Sequence, residues 1–167
     1  MLFRSLKEVP GVEEDVEAHR REHCAEVQVP FLQARRPDVR ISVLVFGIGR
    51  LAALLDAGSG IARAVREAGG PVLVLASSDM THYEPHEAAA RKDRLAIDEV
   101  IRLDPEGLHR VVRETPITMC GVAPSVAAIR AAKDLGAKSA RLVDYRTSGD
   151  ETGDYSSVVG YAGILIQ

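Results

Sequence analysis

The sequence predicts an α/β fold, a three-layer αβα sandwich around a mostly parallel central sheet. Two apolar runs, ISVLVFGIG at 41–49 and PVLVLASSD at 71–79, are bounded by proline or glycine and lack polar alternation. Such runs are typical of strands that are covered on both faces. Segments of helix-forming composition separate them from each other and from two later strands, which favours helices on both sides of one sheet.

Each element is predicted from its own pattern. The charged, turn-rich residues 1–20 are expected to lead into the core without contributing to it. A helix kinked by Pro30 is expected in 22–36, and a longer helix in 51–69 has a possible break at its internal glycines. Three further helices are expected at 85–103, 104–114 and 123–137, and two strands at 140–148 and 157–167.

Charge, cysteine usage and hydropathy exclude several classes of protein. The 167 residues carry 21 basic and 24 acidic side chains, a net charge of −3, and no linker divides them, which favours one domain over 1–167. This acidic balance argues against a nucleic-acid binder, which needs a clustered basic face. Cys24 and Cys120 show no CxxC spacing, so both are expected as reduced thiols. No signal peptide or membrane span is recognisable, and we expect a cytoplasmic protein without a membrane partner.

Polar side chains follow the second apolar run directly, in Ser77-Ser78-Asp79-Met80-Thr81-His82-Tyr83. Ligand sites of open α/β sheets lie at the carboxyl ends of strands. His82 can act as an acid or a base near neutral pH, and Asp79 could orient it or hold it charged. The structural alternative is a capping turn for the next helix. Composition alone leaves these two interpretations equally open.

Two further candidates contain thiol or imidazole groups. Cys120 precedes a predicted helix, whose N-terminus favours the thiolate that binds metals, although a single cysteine is more often buried and inert. His19 and His23 have the i, i+4 spacing of two-histidine metal sites, but without the rest of such a motif they are more often surface residues. The loop DYRTSGDETGD, with Asp144, Asp150 and Asp154, is interpreted as a structured loop that closes over a site.

Four ordered motifs together resemble the Memo family. They are EHCAEVQVPFLQ, SSDMTHY, the Cys120-Gly121 pair with its following helix, and YRTSGDETGDYSSVVGYA, and they span the chain from about Ala18 to the C-terminus. Bacterial members of this family are called AmmeMemoRadiSam system protein B. The family is similar to the catalytic subunits of class III extradiol dioxygenases, which have a three-layer α/β fold and hold Fe(II). The resemblance implies that fold here.

The resemblance also implies roles for particular residues. His23 matches a metal-binding histidine of the family, and Cys120 matches its metal-binding cysteine. His82 falls where the related dioxygenases have their acid/base histidine, and Asp79 lines the same pocket. A mixed histidine and cysteine set suits iron or copper better than magnesium or calcium, so the expected cofactor is Fe(II) or Cu.

Two departures from the family pattern are apparent. Cys24 follows His23 where the family usually has serine, which offers an extra thiol near the metal. The family's HAGY-like segment, whose histidine completes the metal triad, does not occur in this sequence. We therefore expect the C-terminal major part of the family domain, either as an N-terminally truncated gene product or as a natural variant that lacks one ligand and at least one strand. A lost strand would expose a sheet edge and invite self-association.

The functions implied by the resemblance belong to different classes. The first is a metal-binding protein with a dioxygenase-like pocket for an unknown small molecule, acting with radical-SAM and AMMECR-type partner proteins. The second is a non-haem iron or copper oxidoreductase of the dioxygenase type that uses His82 as acid/base. The third is an inert fragment. Whether the protein is an enzyme stays open at this point.

Overall fold

The computed structural model describes residues 2–47 and 49–167, which form an α/β structure, as predicted. Helices dominate it, and a small sheet lies against them. The helices are α1 (Leu2–Lys7), α2 (Val16–His19), α3 (Val29–Arg35), α4 (Leu51–Ala68), α5 (His86–Ile101), α6 (Pro105–Glu114), α7 (Val122–Leu135) and α8 (Gly149–Thr152). The strands are β1 (His82–Glu84), β2 (Ala140–Thr147) and β3 (Val158–Ile166).

The sheet within the described ranges has the order β1-β3-β2, and both of its strand pairs are antiparallel. This differs from the mostly parallel sheet that the sequence predicts. The apolar runs at 41–47 and 71–76 join no strand ladder there, although exposed and half-buried side chains alternate along both. An apolar run specifies an extended backbone, whereas a ladder also needs a neighbouring strand in hydrogen-bonding register. Ile48, which belongs to the first predicted strand, lies outside the described residues.

The predicted long helix is confirmed, and its internal glycines do not break it. Helix α4 runs without interruption and ends at Gly69, whose left-handed φ of 68° suits a glycine C-cap. At Gly58, a Cβ atom would lie 2.5 Å from the carbonyl oxygen of Ala127 in α7. The glycine therefore allows α4 and α7 to approach each other closely.

The N-terminal residues contribute to the core, contrary to the prediction for 1–20. Leu6 of α1 and Val9 after it are buried, with 6% and 4% of their surface exposed. A Cβ atom at Gly60 of α4 would lie 2.3 Å from Val9 Cγ1, so the lead-in packs directly on this helix. The sequence does not reveal this packing, because residues 1–20 are rich in charged side chains and their buried apolar residues are few.

A buried carboxylate connects the helices to the sheet. Asp93 of α5 is fully buried and accepts hydrogen bonds from the Thr81 backbone N–H and the Tyr145 hydroxyl, both at 2.8 Å. Burial and the neighbouring carboxylate raise the pKa of Tyr145 well above its usual range, in that order of effect. Asp93 therefore fixes the chain immediately before His82. None of the described helices is long and apolar enough to cross a lipid bilayer.

Candidate metal-binding and catalytic site

A cavity of about 800 Å³ brings together the second apolar run, the Cys120 turn, β2 and β3. One wall of the cavity, called here the fixed wall, consists of residues 78–82 and 118–121. Facing it is the outer segment, residues 22–28. The cavity is lined by His23, Cys24, Val27, Gln28, Ser77, Ser78, Asp79, His82, Cys120, Asp144, Arg146, Tyr161, Ala162 and Gly163. The four residues to which the resemblance assigns roles, His23, Asp79, His82 and Cys120, are among them.

Backbone groups hold the Cys120 thiol in the fixed wall. The Asp79 N–H donates to Cys120 Sγ at 3.2 Å, and the Gly121 N–H donates to Ser78 Oγ at 2.9 Å. At Gly121, a Cβ atom would lie 2.4 Å from Ser78 Cβ and 2.6 Å from the Ser77 carbonyl oxygen. Glycine is therefore required for this contact. Cys120 itself is exposed and carries no disulfide, so its sulfur is accessible from the cavity.

The His82 ring is fixed in one orientation by Thr118. Its Nδ1 lies 2.7 Å from the Thr118 carbonyl oxygen, and its backbone N–H donates to Thr118 Oγ1, also at 2.7 Å. A carbonyl oxygen only accepts, so Nδ1 carries the proton and Nε2 of the neutral ring has a free lone pair. Nε2 lies 3.6 Å from a carboxylate oxygen of Asp79. This arrangement suits either a metal ligand or a group that takes up a proton.

Three different donor atoms meet in the fixed wall. The ligand atoms of Asp79, His82 and Cys120 all lie within 4.8 Å of one another. Together they offer a carboxylate oxygen, an imidazole nitrogen and a sulfur, a set with the borderline-to-soft character that iron, copper and zinc accept. The donor set fits a transition-metal ion better than magnesium or calcium, both of which prefer oxygen ligands throughout.

The outer segment is held less firmly than the fixed wall. None of residues 22–28 is buried, whereas Met80, Thr81, Met119 and Gly121 of the fixed wall are. Gln28 Nε2 donates to Ser77 Oγ at 3.2 Å, which joins the segment to the chain before the fixed wall. His23 lies in this segment and is exposed, and it is outside the compact donor group formed within the described ranges.

Cys24 follows His23 in the chain and lines the same cavity. Its backbone N–H donates to Glu22 Oε1 at 2.6 Å. Hydrogen bonding of the thiol to the Glu22 carboxylate, together with burial, raises the pKa of Cys24 to about 11. The charge of Asp79 contributes to this shift, and the Cys24 thiol lines the same cavity as the fixed wall.

The histidine pair suggested by spacing is not formed. His19 ends the short helix α2, and His23 follows outside it, so the two do not share a helix face. His19 instead lines a separate cavity of about 250 Å³ near the N-terminus. The i, i+4 spacing failed here because it places side chains together only within a continuous helix.

Sequence reasoning missed part of the cavity lining. Tyr161 of β3 and the ion pair of Arg146 with Asp144 on β2, 3.1 Å apart, form its far side. Burial, followed by the charge of Asp79, raises the pKa of Tyr161. The register of β2 on β3 aligns Arg146 with Tyr161, and only this strand pairing, which no local pattern reveals, brings them together. Asp150 and Asp154 instead accept backbone hydrogen bonds within the loop.

Comparisons with known proteins agree with the motifs. The Memo-like protein family profile matches residues 2–165. A MEMO1 family protein of Pyrobaculum arsenaticum is 42% identical over 160 residues, covering 96% of this chain and 57% of that protein. A MEMO1 family protein of Methanopyrus kandleri is 40% identical over 157 residues, with 93% and 56% covered. The chain thus spans a little over half the length of the curated relatives it matches, and it belongs to the Memo family.

Proposed function

We propose that this protein binds a transition-metal ion in the cavity, with Cys120 as thiolate ligand and His23 as imidazole ligand. The observation that carries the proposal is that His23 and Cys120 line one cavity, on whose wall the donor atoms of Asp79, His82 and Cys120 also lie within 4.8 Å of one another. His23 has to approach the fixed wall by movement of the exposed outer segment. Iron and copper are the cofactors that the donor types favour.

The proposal assigns His82 and Asp79 to a molecule bound in the cavity and leaves the ion to Cys120 and His23. Because the Thr118 carbonyl oxygen holds Nδ1–H, Nε2 can accept a proton from a molecule bound in the cavity. The Asp79 carboxylate lies 3.6 Å from Nε2, so both groups face the same part of the cavity. Arg146 and Tyr161 on the far side offer hydrogen bonds to such a molecule.

Metal content after anaerobic loading tests this proposal. Purified protein is loaded separately with Fe(II) and Cu(I), desalted and analysed for metal, beside Cys120→Ala and His23→Ala. We expect about one ion per chain in the unchanged protein and a clear loss in both variants. His19→Ala is the matched control, since this exposed histidine lies outside the cavity lining. Equal metal content in all four proteins would contradict the proposal.

A second candidate function is oxidation of a small molecule with O₂, as in dioxygenases. The fixed tautomer of His82 beside Asp79 favours it, because this pair can move a proton at a bound substrate. Bound iron or copper would supply the oxygen chemistry. Oxygen consumption by the iron-loaded protein with a panel of catechols checks this function. We expect His82→Ala to abolish turnover while metal content is retained, and the absence of consumption with every catechol would speak against it.

Two broader expectations remain proposals. We propose that the runs at 41–47 and 71–76 belong to the same sheet as β1, β3 and β2 in a three-layer sandwich. The alternation of exposed and half-buried side chains along both runs supports this. We also propose a radical-SAM protein and an AMMECR-type protein as partners, acting in the cytoplasm. An anaerobic pull-down with both partners checks this proposal, and recovery of neither would contradict it.

A further inference from the structure

We propose that Cys24 is a second thiolate ligand, so that Cys120, Cys24 and His23 together bind a thiol-preferring ion. This inference deepens the proposed function and rests on it. The structure places both thiols and the imidazole on one cavity. Three protein ligands would also leave a fourth position of a tetrahedral ion for a bound molecule.

The arrangement of the chain makes this ligand set accessible. Cys24 is half-buried in an irregular turn that precedes the 3₁₀ turn Glu26–Gln28, and no helix or strand holds it in place. Both cysteines are free thiols. Two sulfur ligands of one ion lie about 4 Å apart at Zn–S distances of about 2.3 Å, so closure of the outer segment has to bring the Cys24 sulfur to that distance from the Cys120 sulfur.

The second thiol changes which ions the cavity selects. One sulfur, one nitrogen and an open position would serve Fe(II) and Cu(I) alike. A second thiolate shifts the preference toward thiol-preferring ions such as Cu(I) and Zn(II) and away from ions with oxygen ligands. Glu22, whose carboxylate accepts from the Cys24 backbone N–H, fixes the position of the turn. Because the same carboxylate also bonds the Cys24 thiol, the binding ion has to replace the proton of that thiol.

Cobalt absorption counts the thiolate ligands directly. Co(II) is added under argon to the unchanged protein, Cys24→Ser, Cys120→Ser and the control Gln33→Ala, which lies on α3 outside the cavity lining. We expect a thiolate-to-cobalt charge-transfer band in the unchanged protein and in Gln33→Ala. Each serine variant should show half that intensity per bound ion. We also expect Cys24→Ser to bind cobalt at least about tenfold more weakly, since loss of a group that merely supports a ligand already costs that much.

The outcomes separate this inference from the proposed function. Equal band intensity and equal affinity in Cys24→Ser and the unchanged protein would overturn the role of Cys24 while leaving metal binding at Cys120 intact. Absence of bound cobalt in the unchanged protein would overturn both. A second measurement needs no variant: alkylation of Cys24 with iodoacetamide, followed by peptide mass spectrometry, should be suppressed by cobalt. Unchanged alkylation would contradict the inference even if Cys24→Ser failed to fold.

Discussion

The two sides of the cavity differ in how firmly they are held. The fixed wall, residues 78–82 and 118–121, contains buried residues and is bound through backbone donors to Cys120, Ser78 and Thr118. The outer segment, residues 22–28, has no buried residue and is linked to Ser77 through a side-chain amide. The fixed wall is therefore the better supported half of the site, and the proposed metal binding assigns closure to the other half.

Removal of the Asp93 carboxylate should have the largest effect on stability, because this carboxylate accepts a hydrogen bond from Thr81 of the fixed wall. In Asp93→Ala, the buried Thr81 N–H and the half-buried Tyr145 hydroxyl lose their acceptor. We expect the free energy of unfolding to fall by about 2–4 kcal/mol, measured by urea denaturation. The control is Asp98→Ala on the same helix, which loses an ion pair with Arg94 and should change by less than about 1 kcal/mol. Equal urea midpoints for Asp93→Ala and Asp98→Ala would refute the supporting role of Asp93.

A methyl group at Gly121 should disturb the fixed wall itself. In Gly121→Ala, the new Cβ would meet Ser78 Cβ at 2.4 Å and the Ser77 carbonyl oxygen at 2.6 Å, so the backbone has to shift. We expect a loss of about 1–3 kcal/mol in unfolding free energy and weaker metal binding at Cys120. Gly70→Ala is the matched control, because no atom lies within 4 Å of a Cβ there. If both variants matched the unchanged protein, the tight contact would not matter.

High pH should lower the free energy of unfolding through ionisation of Tyr145. Burial and Asp93 raise the pKa of this phenol above its ordinary value of 10.0, so its neutral form stabilises the folded state. That contribution is fully present below pH 10.0 and is lost as the pH rises above it. We expect Tyr145→Phe to start about 1 kcal/mol less stable, through its lost hydrogen bond, and to lose less stability above pH 10.0. An equal loss of unfolding free energy above pH 10.0 in both proteins would contradict this expectation.

The smallest effect on stability is expected from the outer segment. Gln28→Ala removes the hydrogen bond to Ser77 but leaves no buried group without a partner. We expect unfolding free energy to change by less than about 0.5 kcal/mol, while limited proteolysis cuts residues 22–28 faster. Gln33→Ala on α3 should alter neither property. A loss as large as that of Gly121→Ala would show that the outer segment is held as firmly as the fixed wall.

The sequence predicts the helices well because their signals are local. Amphipathic spacing and glycine stops place α4, α5, α6 and α7 within a few residues of their positions. The pairing of strands is not local, and the predicted parallel sheet differs from the antiparallel β1-β3-β2 sheet for that reason. The missed packing of α1 has a similar cause, since Leu6 and Val9 are isolated apolar residues in a charged stretch.

Local sequence motifs predicted part of the candidate site. The polar run after an apolar segment identified Asp79 and His82, and the helix start identified Cys120, which the structure brings together. The resemblance identified His23, whose distance from that group no motif reveals. Arg146 and Tyr161 enter the cavity through the register of β2 on β3, which depends on contacts far apart in the sequence.

Hydrogen–deuterium exchange with and without zinc distinguishes the fixed wall from the outer segment. Zinc is a redox-silent probe for a site of histidine and cysteine ligands. We predict that backbone amides of residues 22–28 exchange rapidly in the metal-free protein and become protected when zinc binds. Amides of residues 78–82 and 118–121 should be protected in both states. Unchanged exchange of the outer segment after stoichiometric zinc binding would contradict the account of a preformed wall on which the outer segment closes.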